Sequence, residues 1–315
     1  MGASDTCLII DSACDLPAGF IKQNNIAILP TSVRIGKQNF VDRRNEEDTL
    51  ALYREGLNGH RFDCETTAFG VEQIRDAIVK RVATRYENAL VLTISSSNSA
   101  LYENVRATLR DNQSHFREAR RKSGRDEFFT IRVLDTEAVF AGQAIVAHEA
   151  VRLTKHPGLP LNKLTARLEA LCQQVYTYII PSDIHPAFQK HMGQEPKFFG
   201  SFSSRIADWF NIKPVIRTHC GESEITMKAS GFDRALKLLF EHVMRQIKQG
   251  LEPNLVCISY AGDVGQIKNK SLYKQFVRFA EHYDVEVMVS VMSTTAAVNI
   301  GPGSFSLAFA AAQFK

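Results

Sequence analysis

The sequence predicts an α/β protein of two domains, each a largely parallel sheet flanked by helices. Short apolar runs alternate with segments in which apolar residues recur at helical spacing, which is typical of strands covered by helices. The chain has 315 residues, 44% hydrophobic and 23% charged, so it can bury cores for two domains of ordinary size. The proline- and glycine-rich stretch HPGLPLN marks the predicted boundary between them.

The first predicted domain, residues 1–157, alternates strand-like and helical patterns. In one helical pattern, apolar residues recur every three or four positions from Val71 to Val82, which places them on one stripe. The strand-like runs are CLIID, ALVLTIS and FFTIRVLDT, and the helical patterns are VEQIRDAIVKRVATR, ALYENVRATLRD and AGQAIVAHEAVRLTK. This order predicts strands that run parallel to one another.

The second predicted domain, residues 158–315, repeats the alternation. It opens with the helical pattern LNKLTARLEALCQQV. PNLVCISYAG then predicts a strand that ends in a glycine turn, and KSLYKQFVRFAEHYDVEVMVSVM predicts a helix that leads into a strand.

Composition excludes several classes of protein. The net charge of +4 is too small to indicate nucleic acid binding, and no apolar run is long enough for a transmembrane segment. The six cysteines form no CxxC pair, so no zinc site is expected. We interpret His185 and His191 as surface histidines, because they lack cysteines or acidic residues at ligand spacing. The first residues do not resemble a secretory signal, which predicts reduced thiols and a cytoplasmic location.

Residues 93–102, TISSSNSALY, end a predicted strand in a cluster of hydroxyl groups. Ser95, Ser96 and Ser99 follow the strand and precede a helix. In open α/β sheets, ligands bind outside the carboxyl ends of the strands, and unpaired amides at a helix start favour an anion. The pattern therefore fits a carboxylate or a phosphate, although helix capping is the commoner use of such serines.

Three more segments place small polar residues or glycines at strand or helix ends. Thr66 and Thr67 precede a helix, and Asp11 ends the first strand. Gly301 and Gly303 flank a proline in a tight turn whose backbone can approach a ligand closely. Spacing alone does not say which of these ends face one another.

Six motifs, in order along nearly the whole chain, resemble those of the DegV family. IIDSACDLP is similar to the family's opening strand followed by DS, a variable pair and DLP. The serine run resembles the family's SSxLSGTY loop, with Ser95 and Tyr102 in register, and Thr66 and Thr67 stand where the family has a Thr-Ser pair. The other three matching segments are VLDTEAV, NIKPVI and NIGPGSF.

The resemblance implies a lipid carrier rather than an enzyme. Members of the family bind one long-chain fatty acid, with the carboxylate on threonine and serine hydroxyls and the tail in an apolar tunnel. Several are the carrier subunit of a fatty-acid kinase, whose separate ATP-using partner makes the acyl phosphate. We therefore expect no cofactor, no catalysis by this chain, and a monomer. The residues expected to bind the ligand are Thr66, Thr67, Ser95, Ser96, Ser99, Gly301 and Gly303.

The chain departs from the family pattern at polar positions. Ser230 replaces the arginine of a KxR motif, and Tyr260 and Asn299 each replace a histidine. The family's glycine-rich GGRI segment is absent. These differences predict a retained fold and tunnel but altered partner use, with Ser230 and Tyr260 on the partner-facing surface.

A basic stretch runs from Arg110 to Arg125, on a segment longer than the family usually has there. It contains six basic residues and, up to that arginine, two acidic ones. A solvated helix end is the simpler interpretation, and a docking surface for an acidic partner or an anionic membrane is the functional one. On the functional interpretation, Arg120 and Arg121 face the partner.

Two other functions remain as alternatives to a carrier. A serine of the loop could be the nucleophile of a lipid hydrolase or acyltransferase, although no GxSxG elbow and no evident Ser-His-Asp order occur. The chain could also be a regulatory protein whose surface responds to lipid occupancy.

Overall fold

A computed structural model describes residues 6–55, 64–156, 158–182 and 212–312. The strands are β1 Thr6–Asp11, β2 Ala27–Leu29, β3 Thr31–Ile35, β4 Gln38–Asp42, β5 Cys64–Ala68, β6 Asn88–Thr93, β7 Thr130–Asp135, β8 Val175–Ile180, β9 Ile212–His219, β10 Glu222–Ser230, β11 Leu255–Tyr260, β12 Glu286–Val291 and β13 Phe305–Ala310. The helices are α1 Ala18–Gln23, α2 Glu46–Glu55, α3 Val71–Ile78 with a π-helical turn Val79–Ala83, α4 Leu101–Asp111, α5 Gln113–Lys122, α6 Ala141–Thr154, α7 Leu161–Cys172, α8 Phe232–Gln249, α9 Gly265–Lys268, α10 Ser271–His282 and α11 Thr294–Ile300. None of these helices is both long and apolar enough to cross a bilayer.

The first sheet has four parallel strands in the order β2-β1-β6-β7. The three runs predicted as strands in the first domain are β1, β6 and β7, and the parallel arrangement predicted for them is confirmed. β1 and β6 are buried along almost their whole length, as expected for parallel strands covered on both faces.

The second sheet is mixed, so the prediction of a largely parallel sheet there is wrong. Its six strands have the order β10-β9-β8-β13-β11-β12, and only β11 and β12 pair in parallel. Those two strands are joined by α10, the kind of helical crossover that a parallel pair needs. β9 and β10 form a hairpin, and the late strand β13 inserts antiparallel between β8 and β11.

A small antiparallel sheet in the first half was not predicted. Its order is β4-β3-β5, and each strand has only five residues. β5 alternates half-buried and exposed residues, so it lacks the continuous apolar run that marked the other strands. The apolar side of this small sheet packs on Val298 of α11.

Helix α6 packs against strands of both large sheets. Most of its residues are buried and small, which lets the backbone approach closely. A Cβ on Gly142 would lie 2.0 Å from Thr177 Oγ1 of β8, so only glycine fits there. The HPGLPLN stretch falls largely between α6 and α7, and a domain boundary at residues 157 and 158 stays a prediction.

Candidate functional site

The serine loop, residues 94–99, leaves the carboxyl end of β6 and is held by two aspartates. Asp11 Oδ2 accepts the amide of Ile94 at 2.6 Å. Both carboxylate oxygens of Asp135 accept the amide of Ser96, at 3.2 and 3.1 Å. Each carboxylate also accepts the amide two residues further along the chain, so both aspartates cap the turn that follows their strand. The loop is therefore fixed from the strands on either side of β6.

Most backbone amides of the serine loop are already paired within the protein. Ser95 N donates to Ala138 O at 3.0 Å, and the amides of Asn98 and Ser99 donate to Ser95 O. Ser99 Oγ accepts the amide of Leu101, the first residue of α4, at 3.2 Å. Ser99 is thus engaged in a local turn before α4, and the loop can meet a ligand through hydroxyl groups more than through free amides.

The hydroxyl groups of the serine loop differ in exposure. Ser95 is 1% exposed, and its Oγ lies 2.9 Å from Ser97 Oγ. Ser97 donates in turn to Gly221 O at 3.1 Å, in the β9–β10 turn. Ser96 is exposed and Ser99 is half-buried. Of the predicted ligand-binding serines, Ser96 is therefore the best placed to meet a group outside the loop.

The contact between the serine loop and the β9–β10 turn requires a glycine. Gly221 has a φ of +75°, and a Cβ there would lie 2.5 Å from Ser97 Oγ. Its amide donates to Glu137 O at 3.0 Å. Sequence analysis missed this contact, because no local pattern joins residues 124 positions apart.

Thr66 and Thr67 point to opposite sides of β5. Thr66 is half-buried beside α11, whereas Thr67 is exposed. Asn299 Nδ2 donates to Thr66 Oγ1 at 3.3 Å and to Thr295 O at 2.7 Å. Because Thr66 accepts this bond, its own hydroxyl hydrogen can be donated to another acceptor. The structure therefore favours Thr66 over Thr67 as a donor to a ligand.

The glycine turn after α11 packs against Ser182. A Cβ on Gly301 would lie 2.8 Å from Ser182 Oγ, and one on Gly303 would lie 3.3 Å from Ser182 Cβ. Ser182 N donates to Ser304 Oγ at 2.9 Å, and Lys213 Nζ donates to Ser182 O. The close approach seen here is to a protein serine, and an approach of the turn to a ligand stays a prediction.

One buried apolar cluster, here called the inter-sheet cluster, connects these polar groups. It draws side chains from the ends of both large sheets and from α11. Its members are Ala13, Ile94, Val139, Phe140, Ile179, Ile216, Ala261, Met292, Ala296, Ala297 and Ile300. Ile94 belongs to the serine loop, and Ile300 follows Asn299, the partner of Thr66. Hydroxyl and amide groups therefore stand at the rim of an apolar interior.

A buried ion pair fixes the carboxyl ends of the two large sheets to each other. Arg44 Nη1 donates to Asp15 Oδ1 at 3.2 Å, and the two side chains are 6% and 0% exposed. Arg44 also donates to Val291 O at 3.3 Å. Asp15 accepts bonds from Ser259 Oγ at 2.6 Å and from the amide of Ser293 at 2.9 Å. This carboxylate is engaged with protein groups on all sides, which suits a structural role.

Burial also shapes the electrostatics of this edge. Burial raises the pKa of Asp11 from its ordinary 3.8 to about 6, although hydrogen bonds from Ile94 N and Gln143 partly oppose the rise. Burial likewise raises the pKa of Asp15, against the attraction of Arg44. Both acids face inward, so they add little negative charge where an anionic ligand would enter.

Comparisons with known proteins identify the family. Residues 6–312 match the profile described as "Uncharacterised protein, DegV family". A DegV domain-containing protein of Xanthomonas campestris pv. campestris is 35% identical over 304 residues, which cover 96% of each chain. The chain belongs to the DegV family.

Proteins of known structure share this fold. The Bacillus subtilis protein, described as a fatty acid binding protein, superimposes with a TM-score of 0.74 at 14% identity, over 97% of this chain and 98% of that one. A protein of Eubacterium ventriosum, described as a stearic acid-binding protein, gives a TM-score of 0.74 at 19% identity, over 96% and 97%. At these identities the likeness establishes the fold alone.

Two departures from the DegV pattern lie in different surroundings. Ser230 is exposed at the end of the edge strand β10. Tyr260 is half-buried, and its hydroxyl donates to Gln266 Oε1 at 3.0 Å. Ser230 is open to a partner and Tyr260 is partly engaged, while their contact with a partner stays a prediction.

The prediction that Arg120 faces a partner is wrong. This side chain is buried, with 2% of the residue exposed. Its guanidinium donates to the carbonyl oxygens of Ala83 at 2.6 Å, Tyr86 at 2.7 Å and Glu127 at 2.9 Å. Successive residues of a helix point about 100° apart, so Arg120 turns inward while Arg121 is exposed. A count of basic residues does not distinguish these two directions.

Some predicted features lie outside the described residues. These are His185, His191 and most of the segment that replaces the family's GGRI motif. Within the described ranges, no group of three or more His, Cys, Asp or Glu side chains is arranged to hold a metal ion.

The roles of four residues at the site were not predicted from the sequence. Ser97, Ser182 and Gly221 gave no separate signal, because each contributes only through a distant neighbour. Asn299 stood out only as a departure from the family pattern, and its bond to Thr66 was not expected.

Proposed function

We propose that this DegV protein is a carrier of one long-chain fatty acid. Its carboxylate would lie at Thr66 and the serine loop, and its tail among apolar side chains between the large sheets. The proposal rests on neutral hydroxyl donors at the rim of the inter-sheet cluster. A fatty acid has the same division, with a small polar head and a long apolar tail. The Bacillus subtilis and Eubacterium ventriosum proteins, described as binding fatty acids, have this fold.

The hydrogen-bond direction at Thr66 supports a carboxylate ligand. Asn299 can only donate through Nδ2, so the oxygen of Thr66 accepts and its hydrogen points elsewhere. A carboxylate is an acceptor only, and it suits such a free donor. Ser96 offers a second hydroxyl from the serine loop. Hydrogen bonds to a charged acceptor contribute about 1.5 to 3 kcal/mol each, which is enough to orient a head group.

The tail supplies most of the expected affinity. Each buried methylene contributes about 0.8 kcal/mol, so ~14 methylenes give roughly 11 kcal/mol before ordering costs. Because burial of the tail supplies most of the affinity, the site needs no strong cation at the head group.

A carrier fits the serine loop better than a serine hydrolase does. A serine nucleophile needs an adjacent base. Ser95 Oγ lies against Ser97 Oγ instead, and in the described ranges no histidine is hydrogen-bonded to a serine of the loop. Turnover of an activated acyl ester would contradict the carrier and favour the hydrolase.

We propose further that a separate ATP-using kinase phosphorylates the carboxyl group of the bound lipid, in the cytoplasm. Ser230 and Tyr260 replace groups that would offer such a partner a positive charge and a titratable ring. We therefore expect a typical kinase of this family to form acyl phosphate from the lipid-loaded protein slowly or not at all. Fast formation of acyl phosphate in that assay would contradict this part of the proposal.

The head-group assignment is tested with oleate and a double variant. Thr66→Val with Ser96→Ala removes both donors and should weaken binding by on the order of 3 to 6 kcal/mol, because each bond ends on a charged group. The matched control is Thr67→Val with Ser114→Ala, which removes two exposed hydroxyls elsewhere. Isothermal titration of delipidated protein gives the affinities, and thermal melting verifies folding.

Two results would decide against the assignment. Unchanged oleate affinity in a folded Thr66→Val, Ser96→Ala protein would show that these hydroxyls do not hold the carboxylate. If native mass spectrometry of the purified protein showed no bound fatty acid, and the protein also failed to take up oleate, the proposal of a fatty-acid carrier would be contradicted.

A further inference from the structure

Phe128 is the most exposed large hydrophobic side chain in the described part of the chain. It is 85% exposed, against 38% for Ile212 and 37% for Tyr283. It lies just before β7, at the amino-terminal edge of the first sheet. An aromatic ring so fully in water contributes nothing to the core.

The backbone beside Phe128 is held firmly. Buried Arg120 donates to the carbonyl of Glu127 at 2.9 Å, and its guanidinium lies 5.7 Å from the ring of Phe129. Phe129 packs edge-on against buried Phe116, with ring centroids 6.0 Å apart. Because both neighbours of Phe128 are anchored, its outward position follows from the packing and not from a loose loop.

Basic residues lie on the segment that carries this ring and on the two elements packed beside it. α5 packs against the π-helical turn, and Arg120 donates to carbonyl oxygens of that turn and of the segment after it, so these segments lie side by side. We define the basic face as Phe128 with Lys80, Arg81, Arg85, Arg117, Arg121, Lys122 and Arg125. All these cations are exposed except Arg125, which is half-buried.

Carboxylates on the same segments offset only part of this charge. They belong to Glu87, Glu118, Asp126 and Glu127. Glu118 is paired with Lys122 at 2.6 Å, and Glu127 with buried Arg120 at 3.4 Å. The other six cations of the basic face form no ion pair among the described residues, so the face remains positive.

We propose that the basic face docks on an anionic lipid bilayer, with Phe128 entering the headgroup region. Polybasic segments are attracted to anionic membranes by about fivefold in affinity per cation near the surface, and aromatic rings favour the interface. A stable protein–protein contact would instead need an apolar core on the surface, and one isolated ring does not provide it. The diffuse negative charge of a lipid surface matches the spread of these cations.

The position of the basic face sets the orientation of a docked molecule. The serine loop lies at the carboxyl edge of the same sheet, and strands of six residues separate the two edges by roughly 20 Å. A bilayer at the basic face therefore leaves the serine loop facing away from the membrane. The inference goes beyond the proposed lipid cargo, since docking needs no ligand in the protein.

Vesicle sedimentation tests this inference with the full chain. Wild-type protein should pellet with phosphatidylglycerol vesicles but not with phosphatidylcholine vesicles, and rising salt should release it. Arg121→Gln with Arg125→Gln should weaken pelleting about twenty-five-fold, and Phe128→Ser should weaken it roughly tenfold. Arg234→Gln with Lys237→Gln on α8 is the matched control and should change pelleting less than about twofold. Equal pelleting with both lipids would overturn the proposal.

Fluorescence tests insertion separately from attraction. Phe128→Trp should gain emission that lipids brominated in the acyl chain quench, with the emission of the unaltered protein, from Trp209, as the reference. Salt-sensitive pelleting that Phe128→Ser leaves unchanged, without such quenching, would overturn membrane docking and indicate an acidic protein as the occupant. Oleate titration of each variant distinguishes a loss of docking from a loss of the proposed cargo.

Discussion

The two edges of the first sheet carry opposite chemistry. At the carboxyl edge Asp11 and Asp15 turn inward, half-buried Asp135 accepts the amide of Ser96, and the neutral hydroxyl of Ser96 remains at the surface. At the amino edge the cations of the basic face are exposed or half-buried, whereas Arg120 turns inward and fixes the backbone. The first sheet thus separates an edge with neutral hydroxyl groups, suited to a small ligand, from a positively charged edge, suited to an extended anionic surface.

The difference shows why charge counts along the sequence are a poor guide to sites. A residue with a formal charge can act as a structural hydrogen-bonding group when burial and good partners remove it from the surface. The candidate site lies at the edge where Asp11 and Asp15 are buried and hydrogen-bonded. The proposed docking surface lies at the edge where cations are exposed.

The largest expected effect is at the buried ion pair of the carboxyl edge. Arg44→Met should lower the free energy of unfolding by about 3 to 5 kcal/mol, because Asp15 is left as a buried charge without its partner. Chemical denaturation followed by circular dichroism measures this loss. The control is Arg43→Met, which removes an exposed arginine next to it and should cost less than about 0.5 kcal/mol.

A second substitution distinguishes charge from packing in that result. Asp15→Asn in the Arg44→Met background should recover part of the stability, because the uncompensated charge disappears. Equal stability of the Arg44→Met and Arg43→Met proteins would mean that Asp15 is neutral or hydrated in the native state.

The next effect is a pH dependence that arises from Asp11. Its pKa is about 6 in the folded protein and 3.8 ordinarily, so between these values the native state holds a proton that the unfolded chain has released. Stability should therefore fall as pH rises through this window, by about 3 kcal/mol in total, and level off above it. Unfolding curves of wild type and Asp11→Asn between pH 4 and about 7 measure the difference. Parallel pH profiles of the two proteins would contradict the raised pKa.

Local patterns predicted the parts of the fold that depend on local order. β1, β6 and β7 were found because buried parallel strands leave short apolar runs between helical stripes. The second sheet was predicted wrongly, because strand direction there is set by a hairpin and by β13 arriving from the end of the chain. Such pairings depend on contacts between distant segments, which periodicity does not record.

The candidate site was predicted by residue type but not by arrangement. The serine loop lies at a strand end as expected, yet its amides are taken by Asp135 and other protein acceptors. The difference between Thr66 and Thr67 follows from the alternation of β5, a strand that the sequence did not predict. Asn299 and Gly221 act across the chain, so only the folded structure shows what they do.

A smaller effect should separate the two neighbouring arginines of α5. Arg120→Leu should cost about 2 kcal/mol, because it leaves buried carbonyl groups without their donor. Arg121→Leu should leave stability within about 0.5 kcal/mol, since the side chain is exposed. Thermal melting of both variants checks this. A larger loss for Arg121→Leu than for Arg120→Leu would contradict the assigned burial.

The smallest expected effect is the affinity that each methylene of the proposed ligand contributes. If neutral hydroxyls hold the head group, the tail carries the affinity, and each methylene removed should weaken binding up to about fourfold. Titration with saturated acids from about twelve to eighteen carbons, at low and high salt, measures how the affinity depends on chain length and on salt. The slope with chain length should persist in high salt, because no exposed ion pair holds the carboxylate, whereas vesicle binding by the basic face should decline. A flat response to chain length would indicate a site that reads only the carboxylate. If high salt abolished the dependence of affinity on chain length, the lipid would bind at the basic face and not at the serine loop.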